Sequence, residues 1–68
     1  KMNKSEVMLS VSEVISFIKE RAEVDLKEAL NKKMFESDKK EIQKICNILK
    51  ASIDASFFRA SDQIESKL

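Results

Sequence analysis

The sequence predicts an all-α protein, a helical hairpin that dimerises into a four-helix bundle. Three observations carry this. The 68 residues include no Gly and no Pro, the residues on which the tight turns of sheets usually depend. The apolar residues recur at steps of three and four in both halves of the chain, which is the period of a helix. Near the middle, the polar stretch "FESDKKE" (Phe35–Glu41) supplies capping residues with which one helix can stop and another begin.

The first helix is expected over about residues 5–35. Its apolar stripe runs Val7, Val11, Val14/Ile15, Ile18, Ala22, Leu26, Ala29/Leu30 and Met34. Asn3 followed by Glu6 reads as a capping box that starts the helix near Lys4. Ser10 followed by Glu13 is a second such box, so a separate arm over residues 2–9 is the alternative. A continuous helix is preferred because Val7 and Val11 stay in phase with the rest.

The turn is expected at about residues 36–38. Asp38 with Glu41 forms another capping box, and Ser37 is an alternative N-cap. Lys32 and Lys33 sit where the carbonyl end of a helix favours cations. Against a turn stands the lack of a C-cap glycine. The alternative is one rod of about 60 residues, roughly 90 Å long at 1.5 Å per residue. Such a rod would be a coiled coil, yet Asp25 and Ser56 fall at seam positions when the heptad is extended.

The second helix is expected over about residues 39–67, with its stripe at Ile42, Ile45/Cys46, Leu49, Ile53, Phe57, Ala60, Ile64 and Leu68. The whole chain is then a single helical domain. Two stripes facing each other bury too little apolar surface to stabilise a chain of this size. More lies elsewhere: Ile48, Ala51, Ala55 and Phe58 form a second set on the second helix, and Phe17, Val24 and Phe35 stand off the main stripe of the first. A dimer would bury such groups.

Composition narrows function. With 37% charged residues and no apolar run longer than Val7-Met8-Leu9, there is no membrane span, and the expected location is the cytoplasm. The lone Cys46 fits a reducing compartment. Net charge is +1, and residues 1–37 carry seven basic and seven acidic groups, so no whole-chain field invites nucleic acid. There is no His, which removes conventional zinc sites and Ser-His or Cys-His pairs. No enzyme, cofactor, metal or small-molecule substrate is expected. Cys46, on the core stripe, reads as a packed small hydrophobe. Glu23–Lys27, Glu28–Lys32 and Lys19–Glu23 read as surface pairs. Lys32, Lys33, Lys39, Lys40 and Lys44 gather at the bend among Glu28, Glu36, Asp38 and Glu41. That is a solvated tip or, more sharply read, a phosphate-binding one. Lys1 precedes a Met-Asn-Lys-Ser-Glu run that reads as a natural start.

"FIK" at Phe17–Lys19 and "ICNILKASID" at Ile45–Asp54 resemble the Rop (Rom) family of plasmid RNA-binding proteins. The shared features are an aromatic-Ile-basic triplet in the first helix and an Ile-Cys-x-x-Leu segment opening the core of the second. The resemblance covers about half of the chain. It implies a hairpin that dimerises antiparallel and binds paired RNA stem-loops through the first helices. Cys46, Leu49 and Ile53 would be core layers, Phe17 an exposed aromatic on the RNA face, and Lys19 and Lys27 phosphate contacts. The sequence departs from the family in a longer connection between the segments. It also has Ser10 and Arg21 near where the glutamine and asparagine of the RNA face would stand.

The leading functional expectation is a small bacterial or phage-type regulatory or adaptor protein, a homodimer that presents Phe17, Val24 and Phe58 to a protein partner. The second is a Rop-like RNA binder using Phe17, Lys19 and Lys27. The third is a coiled-coil segment of a larger assembly.

Overall fold

A computed structural model describes all 68 residues. The chain is a hairpin of two antiparallel helices, α1 (Lys4–Lys33) and α2 (Lys39–Lys67), joined by a single 3₁₀ turn at Glu36–Asp38. At the start of α1, Asn3 has extended backbone angles and its Oδ1 accepts from the Glu6 N–H at 2.9 Å. The box closes side chain to side chain, with Asn3 Nδ2 donating to Glu6 Oε1 at 3.0 Å. The helix passes through Ser10 and Glu13 without a break. Residues 2–9 are therefore no separate arm, and Ser10 caps nothing.

The reversal explains how a chain without glycine turns. α1 ends at Lys33, two residues short of the expected Phe35. Met34 leaves the helix at φ −119°, ψ 152°, still donating its N–H to Leu30 O at 2.9 Å. Phe35 is also extended, and its carbonyl accepts from the Asp38 N–H at 2.9 Å to close the 3₁₀ turn. Two extended residues advance the chain by about 7 Å, most of the 8–10 Å that separates packed helix axes. No residue has positive φ, so the left-handed position that calls for glycine never arises. The expected Asp38 cap is not formed: Asp38 sits at φ −98°, ψ 29° and its side chain makes no capping bond. Its backbone is already committed to the 3₁₀ turn, which leads directly into helical angles at Lys39.

Packing between the helices is thin. Only Ile42 and Cys46 are buried, and Val7, Val11, Ile15, Leu26, Leu30, Ile53 and Phe57 are half-buried along the seam. The hairpin is 53 Å long with a radius of gyration of 15.7 Å, whereas a compact domain of this length would have about 11 Å. No helix is long and apolar enough to cross a membrane.

Candidate interaction surfaces

Two antiparallel helices side by side create two flanks, each two helices wide, and two outer backs, each one helix wide. In a helix of 3.6 residues per turn each residue advances about 100°, so the sequence decides what each surface carries. Ile15 and Phe57 face across the seam and border grooves on both flanks.

On one flank, α1 contributes Val7, Val11, Val14 and Ile18, and α2 contributes Phe57, Ala60 and Ile64. Every residue lining this groove except Ser10 is apolar. Toward the hairpin tip the α1 stripe becomes Arg21 and Asp25, which pair at 3.5 Å. There the apolar surface passes to α2, where Leu49 and Ile53 line a second groove with Leu26. The flank thus carries large apolar residues along the hairpin, on α1 at the open end and on α2 toward the tip, where Ser52 and Ser56 lie among them. Val14 is 56% exposed, Ile18 43% and Leu49 40%.

The opposite flank is polar. Ser12, Ser16 and Lys19 of α1 face Asp54 and Ser61 of α2, with Phe58 at the edge. Lys19 Nζ meets Asp54 at 3.1 Å, the one ion pair that joins the two helices. Nearer the tip the flank carries Glu23, Lys27 and Lys50, with Glu20 at its edge toward the outer back of α1. The ion pairs formed are Lys19–Asp54, Arg21–Asp25 and Lys39–Glu36. The expected Lys19–Glu23 pair gives way to Lys19–Asp54, because Asp54 draws Lys19 across the seam, and the expected Glu23–Lys27 and Glu28–Lys32 pairs are not formed.

The sequence-derived anchors do not form one patch. Phe17, 72% exposed, stands about 200° round α1 from the seam residue Ile15. Val24, seven residues on, shares that outer back and edges onto the polar flank. Phe58, 73% exposed, lies on the polar flank of α2 in a groove to which neither contributes. Ile48 and Ala51 occupy the back of α2 and Ala55 borders the polar-flank groove, and all three are exposed. Phe35, at 80% exposure, marks the tip. Lys19 is turned away from Phe17 and held by Asp54, whereas Lys27 is exposed. Of the core layers that the resemblance implies, Cys46 is buried and Ile53 half-buried, but Leu49 opens onto the apolar flank.

The periodicity places Val14, Ile18 and Leu49 in the seam, whereas the structure opens all three onto the flank. The signal was present in the doublets Val14/Ile15, Ala29/Leu30 and Ile45/Cys46, which make the stripe wider than one facing helix can cover.

No cluster of three or more His, Cys, Asp or Glu side chains is placed to hold a metal ion. Comparison with protein-family models, with curated proteins and with solved structures returns no match.

Proposed function

We propose that this chain is a non-enzymatic binding protein that assembles as a homodimeric four-helix bundle and engages a protein partner through exposed apolar groups outside the bundle core. The surface left open by the hairpin carries the reading. It exposes 5710 Å², whereas a compact protein of its mass would expose about 4400 Å². Two separate hairpins expose twice 5710 Å², but one compact body of their joint mass would expose about 7000 Å². The difference, on the order of 4000 Å², falls in the range of obligate homodimer interfaces.

For the partner, the outer back of α1 is the better candidate. Phe17 and Val24 share it with Glu13, Glu20 and Glu28, all within about 40° of its centre. This stripe suits a ligand that presents apolar and basic groups. It repels a polyanion, which favours a protein partner over the RNA reading suggested by the resemblance. A regulatory or adaptor role follows from binding without chemistry.

Light scattering on a size-exclusion column, with X-ray scattering on the same peak, tests the assembly. The expected particle has twice the chain mass of 7.8 kDa and a length near that of one hairpin. A monomer at every accessible concentration would overturn the reading.

A further inference from the structure

Resting on the reading that the hairpin pairs with itself, we infer that the seam between the two copies is the Val14–Ile18–Leu49 flank, and that the Lys19–Asp54 flank and both outer backs face solvent in the dimer. Three observations converge on this surface.

The first is width. Closing the surplus requires about 2000 Å² from each copy. Ile48 sits on the back of α2, a surface only one helix wide, as does Phe17 on α1, and Phe58 stands at the edge of the polar flank. Only a flank draws on both helices along the 53 Å of the hairpin.

The second is charge. Pairing through the polar flank would take Lys19, Asp54, Glu23, Lys27 and Lys50 out of water. Desolvation of that many ions outweighs what their mutual attraction returns. The apolar flank carries one charged pair, Arg21 and Asp25, already joined to each other at 3.5 Å and more than half exposed.

The third is shape. Where Val14 and Ile18 project from α1, the α2 side of their groove includes the small Ala60. Where Leu49 projects from α2, the groove it lines is bordered by the small Ser52 and Ser56. Each half of the face thus offers both projections and recesses, which a self-complementary interface needs. The half-buried Ile53 and Phe57 would become the centre of a bundle core in which four helices meet.

Thiol protection tests the face without adding charge or bulk to it. In a Cys46→Ala background, Ser56→Cys places one thiol on the apolar flank and Ser16→Cys places one on the polar flank. Both serines are exposed in the single hairpin. Alkylation with a maleimide is followed at dimer-forming concentration and after dilution, with the mass measured alongside. The expected result is a dimer in which the Ser56→Cys thiol reacts at least about fivefold more slowly than after dilution, while the Ser16→Cys rate does not change. A dimer that protects the Ser16→Cys thiol, or neither thiol, overturns the assigned face and leaves self-association standing. A monomeric mass throughout overturns both.

Discussion

The two flanks of this hairpin are built from the same pair of helices and have the same length, yet they differ in almost every side chain. One carries Val11, Val14, Ile18, Leu49 and Ile64; the other carries Ser12, Ser16, Lys19, Asp54 and Ser61. A protein that worked as a lone hairpin would gain nothing by this asymmetry, since both flanks would meet water alike. The contrast shows that the apolar stripe of each helix is not centred on its neighbour. It is displaced toward one side, so the seam covers part of it and leaves Val14, Ile18 and Leu49 exposed.

The comparison is broken most directly by putting a charge on each side in turn. Ile18→Asp introduces a carboxylate at the centre of the apolar flank, twice in a symmetric dimer. If the two copies meet there, dimerisation weakens by more than about 3 kcal/mol, because an unpaired buried charge must be solvated or neutralised. Ser16→Asp, two residues away on the polar flank, should change it by less than about 0.5 kcal/mol. Sedimentation equilibrium of both variants measures the difference. Equal effects would mean that the asymmetry has no part in assembly.

The seam itself belongs to both flanks. Ile42 and Cys46 are its only buried side chains, so Ile42→Ala removes apolar contact where the single hairpin has little else. A loss of about 2–3 kcal/mol is expected, toward the low end for such truncations, because a thin shell can collapse around the gap. Chemical denaturation at several protein concentrations separates the terms. A midpoint that falls equally at all concentrations places the loss in the hairpin, whereas one that falls only at low concentration places it between copies.

How much of this was legible beforehand depends on the scale at which the sequence acts. Helical period is a local property repeated many times, so two long helices could be read from spacing alone. The capping box at Asn3 could be read too, since donor and acceptor lie three residues apart and need nothing else. The Asp38 box failed because its backbone was claimed by the 3₁₀ turn, a competition that composition does not reveal. Lys19 paired across the seam with Asp54 instead of along its own helix, because a partner 35 positions away depends on the register of the hairpin. Exposure of Val14 and Leu49 was hidden for the same reason: a stripe states which residues are apolar, not where the facing helix stands within it.

Asn3 lies on neither flank and gives the scale of a purely local effect. Its Oδ1 satisfies the Glu6 N–H at 2.9 Å, and Asn3→Ala should cost about 1 kcal/mol, as loss of an N-cap usually does. Thermal melts followed by circular dichroism would show it as a small drop in midpoint. A drop as large as that of Ile42→Ala would mean that the first turn of α1, next to Val7 and Val11, is coupled to the apolar flank.

The smallest effect is the most informative about register. Lys19–Asp54 is the only ionic link between the helices, and its partners are 35% and 52% exposed, so solvent screens it. A double-mutant cycle with Lys19→Ala and Asp54→Ala should give a coupling of about 0.2–1 kcal/mol, shrinking as salt is raised. An interaction of that size cannot hold the hairpin together. It can choose among ways of doing so, because a one-turn slip of α1 past α2 would separate the pair by about 5 Å while leaving an apolar stripe against an apolar stripe. Stripes at steps of three and four tolerate such slips; a lysine opposite an aspartate does not. A coupling near zero together with unchanged thiol protection on the apolar flank would show that the Val14–Ile18–Leu49 layer sets the register by itself.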